Sequence, residues 1–162
     1  MRITKADYND LQDILDLQYL AYQSEARLYN DPNIPPLSQT LSDVETEFET
    51  GVFIKAVNED GHIIGSVRAH SDNGTLYIGK LIVRPDLQGQ GIGTELLKEI
   101  ERICPHERYE LFTGTKSALN IKLYERVGYV KFKEQTVSND LIFVYLCKTK
   151  ANKNKASSSV LI

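Results

Sequence analysis

The chain has no tryptophan, one methionine, and only two cysteines and three histidines among its 162 residues. Cys104 and Cys147 show no metal-ligand spacing, and no histidine or acidic cluster accompanies them. A structural metal site and a disulfide framework are therefore not expected, and both cysteines read as reduced, mostly buried thiols. No apolar run reaches 18 residues, and no signal-peptide core follows Met1-Arg2-Ile3-Thr4-Lys5. The expectation is a cytoplasmic chain with no membrane partner. A basic surplus is also missing: the net charge is −3, which argues against a nucleic-acid partner. Nothing in the sequence resembles a nucleophile elbow, so a Ser-His or Cys-His covalent mechanism has no support.

What is present is concentrated between Tyr77 and Leu97. Leu76 to Val83 is apolar on both faces, broken only by Gly79 and Lys80, as suits an internal strand. Pro85 cannot donate to a ladder and should end it. Beyond the glycines, Ile92, Leu96, Leu97, Ile100, Ile103 and Cys104 keep the spacing of an amphipathic helix, closed by Pro105. Between strand and helix lie Gly89, Gly91 and Gly93. Alternate glycines strip side chains from a backbone whose first helical N–H groups have no partners and carry the positive end of the helix dipole. An anion, most often a phosphate, is the natural guest. A Walker loop would require Gly-Lys-Ser or Gly-Lys-Thr here. A dinucleotide-binding turn would require Gly-x-Gly-x-x-Gly early in the chain. Neither spacing is found.

The remaining periodicity predicts one domain over residues 1–149 and a Lys-, Asn- and Ser-rich tail over 150–162. Strands are expected near 2–5, 52–57, 62–70, 76–83, 109–113, 129–137 and 141–148. A long first helix, capped by Asp7, should run through Tyr29 until Pro32, Pro35 and Pro36 break the chain. A second, acidic helix is expected over 41–48, with Ser42 as cap and Glu45 completing a capping box. Ser117 should cap a short helix that ends at Gly128. Tight turns at 58–61 and 71–74 make strands two to four an antiparallel meander. The helix between strands four and five makes that pair parallel. The class is α/β, a mixed and mostly antiparallel sheet.

The segment Gln88-Gly89-Gln90-Gly91-Ile92-Gly93, with Val83-x-Pro85 before it and Leu96-Leu97 after it, resembles the pyrophosphate loop of the GNAT superfamily of N-acetyltransferases. The resemblance extends to Leu123-Tyr124-Glu125-Arg126-Val127-Gly128-Tyr129 and covers residues 2 to 149. It implies a sheet splayed between the parallel strands four and five, admitting acetyl-CoA as cosubstrate. Gln88, Gly89, Gln90, Gly91, Ile92, Gly93 and Thr94 would hold the pyrophosphate. Leu81, Ile82 and Val83 would pair with the pantetheine arm as an added strand, and one backbone N–H there would stabilise the oxyanion. Gly79-Lys80 fits a bulge that re-aims the neighbouring side chains.

The same resemblance gives Tyr124 the role of acid for the departing thiolate. Many members carry Asn and Ala ahead of that tyrosine where this chain has Ser117 and Asn120. Asn120, one turn before Tyr124, is the candidate to take over the cofactor contact. The implied reaction is acetyl transfer to a primary amine in a ternary complex; a non-catalytic acyl-CoA-binding domain is the alternative. The acceptor's base is open, with Tyr77 and Glu25 as candidates, whereas His62 and His70 read as exposed near strand ends and His106 follows Pro105 in a loop. A small amine or a peptide N-terminus is the expected partner, and a homodimer is compatible with the fold. Glu25, Asp31, Asp43, Glu45, Glu47 and Glu49 stand against Arg27 alone over residues 25–50, a pattern expected to favour cationic amines such as polyamines.

Overall fold

The computed structural model describes residues 1–150. Its seven strands form one sheet in the order β1-β2-β3-β4-β5-β7-β6. They are β1 (Arg2–Lys5), β2 (Val52–Val57), β3 (Ile63–Asp72), β4 (Thr75–Val83), β5 (Arg108–Gly114), β6 (Val130–Thr136) and β7 (Ile142–Thr149). Every neighbouring pair is antiparallel except β4 and β5, which are parallel as the intervening helix requires. The expected tail lies outside the described residues from 151 onward. Among the described residues no helix is long and apolar enough to cross a membrane.

Among the described residues six α-helices flank the sheet: α1 (Leu11–Ala21), α2 (Gln23–Leu28), α3 (Pro35–Ser38), α4 (Leu41–Thr50), α5 (Ile92–Ile103) and α6 (Ala118–Val127). Asp7 does cap the first helical turn, in a capping box with Asp10. The single long first helix does not form, because the chain kinks at Tyr22 and restarts as α2. The cap of α4 is Thr40, boxed with Asp43, two residues before the expected pair. Both pairs fit the pattern, and the one adjoining the extended residue Gln39 is used. The proline-rich breaker contains the turn α3, with prolines in its first positions, where a missing N–H loses nothing.

The sheet buries both faces. On one side Leu76, Ile78, Tyr109 and Leu111 pack with Leu96, Leu97 and Ile100 of α5 and Tyr124 of α6. On the other, Leu11, Ile14 and Leu15 of α1 and Val44 of α4 close over Phe53. Cys104 and Cys147 are half-buried free thiols.

At the far end of α5 an ion pair is buried rather than solvated. The Lys148 ammonium lies 2.6 Å from Glu101 Oε1. It also donates to the Val127 carbonyl at 3.0 Å, and Tyr129 donates to Glu101 Oε2 at 2.9 Å. This network joins α5, the end of α6 and β7, the elements that carry the glycine loop and Tyr124. Lys148→Met would strand the Glu101 carboxylate in the core, with an expected loss of about 3 kcal/mol in urea unfolding. The double variant Lys148→Met/Glu101→Leu should recover most of it. A loss below about 0.5 kcal/mol in the single variant, the level of a surface pair, would contradict this role.

Candidate active site

The loop between β4 and α5 is built to leave donors free. Gly89 and Gly91 have φ of 80° and 84°, left-handed values that only glycine adopts easily. A Cβ at either position would meet nothing within 4 Å, so the ground in front of the loop is open. Gly91 is the N-cap of α5 and offers no side-chain cap. Among the described residues, no acceptor is matched to the backbone N–H groups of residues 89 to 94. Consecutive unpaired donors at a helix N-terminus are the physical requirement for an oxyanion site. Gly93 has a different task from its two neighbours. A Cβ there would lie 3.2 Å from Leu123 Cδ1, so its bareness lets α5 seat against α6.

The parallel ladder beside this loop is short. Thr75, Leu76 and Tyr77 pair with Arg108, Tyr109 and Glu110, and there it stops. β5 continues to Gly114 on its other neighbour, β7. β4 continues to Val83, held only by β3. The edge of β4 that includes Leu81, Ile82 and Val83 thus faces a gap. A bulge accompanies it: Ser66 pairs with Ile82 but Arg68 with Gly79, so β4 carries one extra residue. Lys80 takes the strain with φ of 51°. The alternation reverses across it. Leu76 and Ile78 face α5 before the bulge, and Leu81 and Val83 do so after it. Lys80 is thereby removed from the α5 face, where an unbroken pleat would have put it.

Tyr124 lies in the core at 6% exposure, packed on Tyr129 with ring centroids 6.3 Å apart. Burial, reinforced by Tyr22 and Glu25, drives its hydroxyl well above the ordinary tyrosine range. Tyr22 is raised in the same way by burial, against an opposing effect of Arg68. A phenol held so firmly protonated cannot act as a resting base, and as an acid it is weaker than an exposed tyrosine. Asn120 is half-buried and turns to Thr113, donating to its Oγ1 at 3.3 Å. Ser117 is fully engaged elsewhere, donating to Glu25 Oε2 at 2.7 Å with its Oγ 3.0 Å from the Tyr29 hydroxyl. Tyr29 also accepts the Lys116 N–H at 3.0 Å. These bonds clamp α2 to the turn that precedes α6. Gly114 makes room for the clamp, since a Cβ there would stand 1.8 Å from the Tyr29 oxygen. The sequence reading passed over Gly114, although a glycine ending a strand is a signal of close approach.

Arg68 was also passed over. It sits in the apolar run of β3 yet points to the α1 side, with its guanidinium 4.6 Å from the centroid of the Phe53 ring. It donates to Glu47 Oε2 and to Gln18 Oε1, both at 2.7 Å. Gln18, wholly buried, donates in turn to the Pro36 carbonyl at 2.8 Å and to Gln39 at 2.9 Å. The legible signal was a charged residue inside a strand otherwise buried on both faces. Of the candidate bases, Glu25 is bonded to Ser117, and Tyr77 stacks on His70 with centroids 5.2 Å apart. His106, in the loop after Pro105, has its ring bonded to Ser71 at 2.7 Å and to the Cys104 carbonyl at 2.9 Å.

The model of the acetyltransferase (GNAT) family matches residues 10–129. Among curated relatives, UPF0157 protein YqkA of Bacillus subtilis is 26% identical over 132 residues, which span 81% of this chain and 38% of that protein. S-(2-succino)cysteine N-acetyltransferase of the same organism is 32% identical over 104 residues, 57% of this chain and 63% of that one. The chain thus spans less than two thirds of the length of either relative. A solved phosphinothricin acetyltransferase of Sinorhizobium meliloti, in complex with AcCoA, superposes with a TM-score of 0.74 at 17% identity, covering 91% of this chain and 87% of that one. At that identity the likeness is one of fold.

The raised Tyr124 hydroxyl gives an optical expectation. Tyrosinate absorbance of the wild type and of Tyr124→Phe should superimpose from about pH 8 to about pH 11, because Tyr124 does not ionise in that range. Loss of a transition near pH 10 in the variant would contradict the burial argument.

Proposed function

Since the chain belongs to the acetyltransferase (GNAT) family, we propose that it transfers the acetyl group of acetyl-CoA to a primary amine by direct attack within a ternary complex. The observation that carries this reading is the conjunction of unmatched N–H groups at 89–94 with the unpaired edge of β4 that leads away from them. A pyrophosphate on the first and an amide-bearing arm along the second would use both sets of donors. In this reading the backbone of Gln88 to Thr94 receives the phosphates. Leu81, Ile82 and Val83 pair with the arm, and Asn120 lies beside its path.

The chemistry asks little of the side chains. The neutral amine attacks the thioester carbon, and a β4 backbone N–H near the bulge stabilises the negative oxygen that forms. As the carbon–sulfur bond breaks, Tyr124 gives its proton to the sulfur. The parent thiol has a pKa of about 8.5, so the sulfur leaves readily as a thiolate, and Tyr124 is needed only to bond and protonate it where it is desolvated. The proton on the positively charged nitrogen of the tetrahedral adduct leaves to solvent or to a base on the α2 side, where Glu25 stands.

The test is CoA release in the presence of a panel of primary amines. The wild type should turn over with at least one of them. Tyr124→Phe should lower turnover by about a hundredfold where chemistry limits the rate, while acetyl-CoA affinity stays within about twofold. Tight acetyl-CoA binding with no release by any amine would sink the enzyme reading in favour of a non-catalytic acyl-CoA-binding domain.

A further inference from the structure

The acceptor side of the gap carries charge of an unexpected sign. Resting on the acetyl-transfer reading above, we infer that Arg68 and Lys80 form a carboxylate-binding subsite, so that the acceptor is an amine bearing a carboxylate, as in an α-amino acid. The acidic count over residues 25–50 pointed the other way, but those side chains are committed. Ser117 holds Glu25, and the Asn33 N–H holds Asp31. Thr40 holds Asp43, and Tyr8 donates to Glu45. Glu49 is exposed at the end of α4, beside Tyr8. Glu25 reaches inward to Ser117, and Glu47 is the one that bonds Arg68, at 2.7 Å, and Gln39, at 2.5 Å.

That leaves two cations against one carboxylate at the bulge. Arg68 is 6% exposed, and its Nε is the buried side-chain donor without a hydrogen-bond partner among the described residues. Orphaned buried N–H groups are rare in folded proteins and mark a place where a partner is missing. Directly across the ladder from Arg68 is Gly79, and a Cβ there would meet nothing within 4 Å. Lys80 follows Gly79 in the left-handed conformation that turns it off the α5 face. No ion pair holds its ammonium among the described residues, and burial together with the charge of Arg68 lowers its pKa. The charged groups that act on it are therefore Arg68 and Glu47, and Arg68 in turn acts on Tyr22, on which Glu25 also acts. A carboxylate over Gly79 would satisfy the spare donor, restore charge balance, and hold Lys80 protonated. Arginine supplies geometry here and lysine a movable point charge, which suits a site that clamps an acid end while the amine reaches the thioester.

The experiment compares matched acceptors, α-amino acids against their carboxamides and against a diamine, by CoA release with wild type, Lys80→Met and Lys80→Arg. The wild type should prefer the acids over their amides by at least about tenfold in kcat/KM. Lys80→Met should bring that ratio close to one, chiefly through KM for the acid, with acetyl-CoA affinity by calorimetry retained. Lys80→Arg should restore the preference. Release with acids and amides alike, or best with the diamine, overturns the subsite and leaves acetyl transfer standing. A Lys80→Met variant that loses acetyl-CoA affinity instead also overturns it, by moving Lys80 to the donor side. No release with any amine overturns both readings.

Discussion

The parallel ladder between β4 and β5 is three residue pairs long, and the rest of the molecule is arranged around its ending. A fourth pair would close the sheet and cover the edge of β4. Two features prevent it. β5 keeps its ladder with β7 through Gly114 and follows that neighbour rather than β4, and β4 carries an extra residue that breaks its register against β3. The bulge places strain at Lys80, reverses which side chains face α5, and keeps a hydrogen-bonding edge free. Open edges are usually a liability, tolerated where something is meant to occupy them. The glycine loop lies beyond the end of that same edge, so a free strand edge and a cluster of free N–H groups follow one another, separated by the turn at 84–88, where Arg84, Leu87 and Gln88 already donate to backbone carbonyls.

The two walls of the gap are fixed by different physics. On the α5 side the wall is apolar packing, anchored by a buried ion pair between Glu101 and Lys148. On the α1 side it is polar: Gln18, Gln39, Glu47 and Arg68 form a buried network, and Tyr29, Ser117 and Glu25 tie α2 across to the start of α6. Apolar packing tolerates exchange of similar volumes, whereas a satisfied polar network specifies one arrangement. In the proposed reaction it is therefore the α1 side that would discriminate between acceptors, and Arg68 links that side to the bulge.

Much of this was legible in the sequence. Strand and helix periods located the elements within a few residues, because apolar spacing reports burial directly. The glycine loop, the parallel pair and a distortion at Gly79-Lys80 all followed from local rules. Two kinds of feature did not. Capping competed between equivalent residues, Thr40 with Asp43 and Ser42 with Glu45, and the choice depended on the chain entering α4. Long-range polar partnerships were hidden entirely. Arg68 meets Gln18 across 50 positions and Tyr29 meets Ser117 across 88. No local window contains both members, so an acidic stretch looked like a free negative wall when its key member was already neutralised.

The central claim is that acetyl-CoA is held by backbone donors of the glycine loop and the β4 edge. Amide hydrogen exchange with and without saturating acetyl-CoA tests it most directly, residue by residue. The account predicts that the N–H groups of residues 89 to 94, unprotected in the free protein, become strongly protected, together with amides on the 81–83 edge. Saturable acetyl-CoA binding that leaves the 89–94 amides exchanging at their free rates, with protection elsewhere, would contradict it.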